Sequence, residues 1–195
     1  MEETQYDKLK KRILEIIENF SFTVNVLEPP NEKQEDMIRA MIVLCHAEFE
    51  DYLENLAQNL LSVGEERWKT ERVANKNIAS LFLNSDKMKN DEKLPDMTVY
   101  TFSRKMINQH RDWINYENHG IKRKNIENIY MPLGYNINEF NQDFLNELDA
   151  FGAERGKVAH STFMKTRNVL DLTTEKKKII YILDEIEKFE QCLNE

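Results

Sequence analysis

A chain of 195 residues with 41% apolar and 32% charged residues, four prolines and five glycines can bury the core of one domain and is not composed like a disordered or fibrous chain. No apolar run approaches membrane-spanning length, and the opening MEETQYDKLKKRILEIIENF mixes charges into its apolar positions, which excludes a membrane span and a secretory signal and predicts a cytoplasmic protein. The net charge of −8 speaks against a constitutive nucleic-acid binder whose affinity comes from many phosphate contacts.

The charge is uneven. Residues 1–97 hold 13 Lys and Arg against 20 Asp and Glu, whereas residues 98–195 hold 14 against 15. The second half also clusters its cations, at Arg104, Lys105 and Arg111, at Lys122–Lys124, at Arg155, Lys157, Lys165 and Arg167, and at Lys176–Lys178. This allows a local basic cleft on an acidic body. The 176–178 run opens a helix, where cations oppose the dipole, and is read as a solvated face.

Taken in chain order, Leu9, Ile13, Ile16, Ile17 and Phe20 predict an amphipathic helix over about 6–20. SFTVNVLEPP predicts a packed loop closed by Pro29 and Pro30, after which Asn31 and Gln34 form a helix-start signal. The longest helical pattern follows over 32–61, with Met37, Met41, Leu44, Cys45, Phe49, Tyr52, Leu53, Leu56 and Leu60 on its stripe. His46, Glu50 and Glu54 lie four apart along it in one row. A lone HxxxE row is more often an ion-paired surface than a metal centre, and with no HExxH and no second His cluster no metal is assigned. The two cysteines, Cys45 and Cys192, make no CxxC pair and predict buried free thiols.

Residues 68–83 predict one helix or two short ones, and 84–96 an exposed polar loop. A helix over 97–116 ends near His110 and His119, both read as satisfied or solvent-facing. Gly120 predicts a turn, 122–130 a short helix, and Pro132 and Gly134 its stop. Asn138 is the expected cap of a helix buried through Phe140, Phe144, Leu145, Leu148 and Phe151. Thr173 is the expected cap of a last helix buried through Ile179, Ile182, Leu183, Ile186, Phe189 and Leu193. No strand pattern or repeat competes. The expected architecture is all-α, a single domain over 1–195 built as an antiparallel helical bundle with additional short helices.

The stretch ERGKVAHS, Glu154–Ser161, holds Arg155 and His160. A guanidinium that keeps its charge and an imidazole that titrates near neutrality are what phosphodiester cleavage uses. Residues five apart on a straight helix diverge by about 140°. A bend or broken turn at Gly152 and Gly156, or a two-fold dimer that juxtaposes two copies of the pair, is therefore required for them to act together.

Arg155 and His160 near the end of an all-helical chain match the Arg, four to six residues, His signature of the HEPN superfamily. VLCHAEFEDYLENLAQNL, GIKRKNIENIYMPLGYN and LDAFGAERGKVAHS resemble the three blocks of its RiboL-PSP-HEPN branch, together covering most of 38–161. The resemblance implies a four-helix core, a homodimer with a composite cleft, and metal-independent cleavage of RNA without a cofactor, often as a toxin or antiviral effector with a cognate antitoxin or partner protein. It makes Arg155 and His160 the catalytic candidates, with Glu50 either orienting Arg155 or buried structurally, and Lys157 either a phosphate contact or a solvated lysine. Gly156 stands where many members carry a polar residue, and Ser161 where a small Gly is usual. Gly156 and the acidic net charge favour the alternative, a non-catalytic module that binds RNA, nucleotide or a partner protein. A third reading makes the chain a scaffold in which Arg155 is tied to Glu50 or Glu154 and His160 is core.

Overall fold

A computed structural model describes residues 3–24, 28–84, 98–160 and 170–194. Every regular element among the described residues is helical: α1 (Gln5–Asn19), α2 (Glu32–Glu71), α3 (Lys76–Leu83), α4 (Val99–Tyr116), α5 (Arg123–Tyr130), a 3-10 turn (Ile137–Glu139), α6 (Gln142–His160) and α7 (Leu172–Leu193). The all-helical expectation is met. No described helix is long and apolar enough to cross a membrane.

Helix starts follow from side chains that satisfy otherwise orphaned amides. Thr4 accepts from the Asp7 amide while Asp7 reaches back to the Thr4 amide, a capping box for α1. Asn31 and Gln34 exchange side-chain-to-amide bonds of 2.9 and 3.0 Å at the mouth of α2, as their spacing predicts. Two expected caps move. α6 starts from Asn141, whose Oδ1 accepts from the Asp143 amide at 3.0 Å, because the 3-10 turn at 137–139 has already absorbed Asn138. α7 starts from Asp171, whose carboxylate accepts from the Thr174 amide at 2.8 Å and the Thr174 hydroxyl at 2.6 Å. A carboxylate at a helix N-terminus gains from the dipole as well as the hydrogen bond, so Asp171 rather than Thr173 holds the cap.

α2 runs ten residues past its expected end, and Trp68 belongs to it rather than to a separate helix. Gly64 is no stop. A Cβ there would meet Asn75 Oδ1 at 2.8 Å and Ile78 Cγ1 at 2.9 Å, so the glycine lets α3 approach the helix backbone. The helix ends instead at Arg72, which takes a left-handed φ of 59°. The loop expected over 84–96 lies outside the described residues beyond Asn84.

The chain forms two compact units. The first comprises α1, α2 to Tyr52, Gly120–Arg123, and α6 with α7. Its core takes in most of the expected stripes, with Leu9, Ile13 and Ile16, Met41, Cys45 and Phe49, Phe144, Leu145, Leu148 and Phe151, and Ile179, Ile182, Leu183, Ile186 and Phe189 all buried, but on α2 the buried face turns to Ile38 and Ile42 while the expected Met37 is half-buried and Leu44 exposed. Each large side chain so removed from water stabilises the fold by about 1.5–3 kcal/mol. Asn141 bonds Glu185 near the start of α6 and Glu154 bonds Lys178 towards its end, so α6 and α7 run antiparallel. Tyr6 against Tyr52 and Arg12 against Glu48 give the same sense to α1 and α2. Phe140 lies just ahead of α6 rather than within its buried stripe and packs on Phe189 with ring centroids 4.6 Å apart.

The second unit comprises α2 from Leu53, α3, α4, α5 and the 3-10 turn. Tyr130 donates to the Leu53 carbonyl at 2.7 Å, Asn77 to the Leu133 carbonyl at 3.0 Å, and Trp68 to Ser103 at 2.8 Å. His110 is buried and bonded and His119 is exposed, as expected. Cys45 is buried, but Cys192 is exposed near the end of α7, off its apolar face.

Candidate functional site

The first unit brings together pieces of all three sequence blocks. Glu50 projects from the middle of α2. Its carboxylate accepts the backbone N–H of Gly120, and His46, one turn earlier, places Nδ1 3.4 Å from its other oxygen. Gly120 takes φ 118°, a conformation that costs glycine nothing and turns its amide towards Glu50. Three residues on, the Arg123 amide donates to Asp149 of α6 at 2.9 Å. The short segment 120–123 is thus tied to α2 by one backbone amide and to α6 by another.

Arg155 is half-buried on α6, and its Nε is shielded from solvent without a hydrogen-bond acceptor. Burial pushes the Glu50 carboxyl up, but His46, the Gly120 amide and the charge of Arg155 together outweigh burial and hold it below the usual carboxylate range. Glu50 therefore remains an anion that Arg155 can face. His46 Nδ1 approaches the carboxylate to 3.4 Å. The ring is fixed from the other side by a near-parallel stack on Phe151, 22° between planes, and Phe151 in turn meets Phe49 edge-on.

Glu154 does not pair with Arg155. It is taken by Lys178 of α7 at 3.0 Å, and Lys178 also holds Glu175 at 2.8 Å. Lys178 is half-buried, so this member of the 176–178 run is an internal cation rather than a solvated one. Burial raises Glu175 to about 7; Lys178 opposes the shift and the nearby charge of Glu154 adds to it.

α6 is continuous through Gly152 and Gly156 to His160, so the broken turn required by one expectation is absent. Gly152 serves packing, since a Cβ there would meet Lys122 Cγ at 2.9 Å. A Cβ at Gly156 would meet nothing within 4 Å, which leaves open space one position after Arg155. His160 is the last residue of α6; its side chain and Ser161 lie outside the described residues. Lys157 is exposed.

Arg155 thus lies near enough for its charge to lower the Glu50 carboxyl, Lys157 lies at the surface, and His160 ends the helix that carries Arg155. The sequence reading passed over two contributors. His46 was read with Glu50 as part of an ion-paired surface row, whereas its ring is buried and packed on Phe151. Lys178 was grouped with its neighbours, although its place between Glu175 and the apolar Ile179 and Ile182 puts it at the edge of the buried face. Among the described residues no cluster of His, Cys, Asp and Glu is arranged to hold a metal ion.

The family model RiboL-PSP-HEPN matches residues 7–195, almost the whole chain. No curated protein and no solved structure matches.

Proposed function

The chain belongs to the RiboL-PSP-HEPN family, and from that membership we propose that it is a metal-independent endoribonuclease, a toxin or antiviral effector that works as a homodimer. The observation that carries the reading is the electrostatic setting of Arg155. Its guanidinium is half-buried, shares a neighbourhood with an ionised Glu50, is not neutralised by Glu154, and sits on the helix that ends at His160.

In the reaction the ribose 2′-OH attacks the adjacent phosphorus while His160 accepts its proton. The five-coordinate phosphorane carries extra negative charge, which Arg155 stabilises more strongly than it does the ground state. The P–O5′ bond breaks as the 5′ oxygen gains a proton, leaving a 2′,3′-cyclic phosphate and a 5′-hydroxyl. The substrate is RNA because the nucleophile is the 2′-OH. Glu50 acts through Arg155 as a positioning residue, and because α6 is unbroken between Arg155 and His160, a cleft shared by two subunits is the favoured route to joint action.

His160→Ala and Arg155→Ala are each expected to lower cleavage of single-stranded RNA by at least about 100-fold without altering the circular dichroism spectrum, since general acid–base groups contribute about that much. Cleavage by the unaltered protein is expected to persist in excess chelator. Equal rates for His160→Ala and the unaltered protein would remove the assignment. Gly156 and the net charge of −8 favour one second reading, a module that binds RNA or nucleotide without cutting it. Saturable RNA binding with intact RNA recovered after long incubation would select that reading.

A further inference from the structure

Lys122 sits in the short segment between α4 and α5, where the backbone is held on both sides of it. Ahead of it the Gly120 amide donates to Glu50 of α2, and after it the Arg123 amide donates to Asp149 of α6 at 2.9 Å. Its aliphatic stem lies on α6 itself. A Cβ at Gly152 would stand 2.9 Å from Lys122 Cγ, 3.8 Å from Cδ and 3.5 Å from Cε, so successive carbons of the stem pass over a position that has no side chain. A lysine free in solvent gives up rotamer freedom when it holds a ligand; here the clamped backbone and the contact with α6 have already removed part of it.

Residues three and four apart on a helix are surface neighbours, with about 5–6 Å between their Cβ positions, so Gly152, Arg155 and Gly156 share one face of α6. The Lys122 stem and the Arg155 side chain therefore stand on the same face, and position 156 leaves it open, since a Cβ there would meet nothing within 4 Å. Lys122 is exposed, and among the described residues no carboxylate pairs with its ammonium. Two other cations nearby are disposed differently. Lys157 lies two positions past Arg155, about 160° around the helix from it, and Lys178 is taken by Glu154 and Glu175. The second positive charge on the Arg155 face comes from Lys122, a residue of another segment.

On the basis of the nuclease reading, we propose that Lys122 holds the phosphate next to the one that is cut: Arg155 meets the scissile phosphate and Lys122 its neighbour along the strand. A flanking phosphate carries the same charge in the bound substrate and in the transition state, so this contact adds binding without adding to the chemical step. An RNA strand supplies such a phosphate and a dinucleoside monophosphate does not. Lys122 therefore makes the protein favour a strand over the shortest cleavable unit, whatever its bases, because a phosphate contact carries no sequence information.

Kinetics of the full chain on UpA, which carries only the phosphate to be cut, and on a single-stranded RNA oligomer test this. Lys122→Ala is expected to raise KM for the oligomer about 3–5-fold, the scale of one exposed ion pair, with kcat unchanged. It should also make the dependence of log KM on log salt shallower by about 0.7, the share of one phosphate on a single strand. Its cleavage of UpA is expected to equal that of the unaltered protein, which a general loss of structure would not allow. Gly152→Ala, which pushes the stem off α6 without removing the charge, is expected to raise the oligomer KM in the same way, and the double variant to be no worse than Lys122→Ala alone. Lys122→Arg should keep most of the affinity. An oligomer KM unchanged by Lys122→Ala, or a loss of the same size on UpA, overturns the proposal. If the unaltered protein cuts neither substrate, the nuclease reading fails by itself, and the anisotropy of a fluorescent oligomer then judges Lys122: weaker binding by Lys122→Ala retains the phosphate contact, and equal binding removes it.

Discussion

Glu50 and Glu175 are both acids at the edge of the same core, and their environments move them in opposite directions. Glu50 is held below its ordinary range, so the unfolded chain binds more protons there than the folded one. Its contribution to stability is full above the ordinary carboxylate pKa of about 4.3 and is lost as the pH falls through the lowered folded value. Glu175 is raised to about 7, so the folded chain binds more protons, and stability falls as the pH rises from the ordinary carboxylate range towards neutrality. Chemical denaturation at a series of pH values is expected to show Glu175→Gln flattening the decline on the neutral side and Glu50→Gln flattening the decline on the acid side. Exchange of those two behaviours would contradict the environments described. Glu50 was legible as an acidic position within a helical block. Its coupling to the Gly120 amide was not, because nothing in a linear pattern states which distant backbone amide will arrive.

The two glycines of α6 separate what a helix gains from what packing forbids. Gly156 faces open space, so Gly156→Ala is expected to stabilise by about 0.5–1 kcal/mol through helix propensity, a rise of about 2–4 °C in Tm for each kcal/mol. At Gly152 the same gain is opposed by the 2.9 Å approach of Lys122 Cγ, so Gly152→Ala is expected to give a smaller rise or none, restored in combination with Lys122→Ala. Thermal melts of the four proteins decide between them. The elements themselves were readable because buried residues recur at helical spacing, which is why α1, the start of α2 and the stripes of α6 and α7 fall where expected. Starts and ends were less so. NINEFNQDF offers three asparagines, Asn136, Asn138 and Asn141, and only the competition from the 3-10 turn at 137–139 decides for Asn141. Gly64, inside α2, is where α3 makes its close approach.

Seen whole, the chain places its catalytic candidates in the first of its two compact units. The proposed homodimer carries its own test. When inactive Arg155→Ala and His160→Ala subunits are mixed, unfolded together and refolded, a cleft built from both subunits is expected to recover measurable cleavage, because some heterodimers then hold one intact Arg and one intact His in a common site. Sedimentation measures the oligomer in the same samples. No recovery in samples that sediment as dimers would mean that each subunit cuts alone. The family and the bundle were visible from the three blocks and their order. The partner subunit is not written in any of them, since self-association depends on surfaces rather than on a motif.

The vacant surface at position 156 also makes the molecule easy to instrument. A thiol introduced there as Gly156→Cys would stand beside Arg155 with room for a fluorophore, and only Cys192 would have to be replaced first, because Cys45 is buried with its thiol pushed up to about 12 and stays unreactive. A dye at that seat would report the arrival of a polyanion in real time, before any bond is cut.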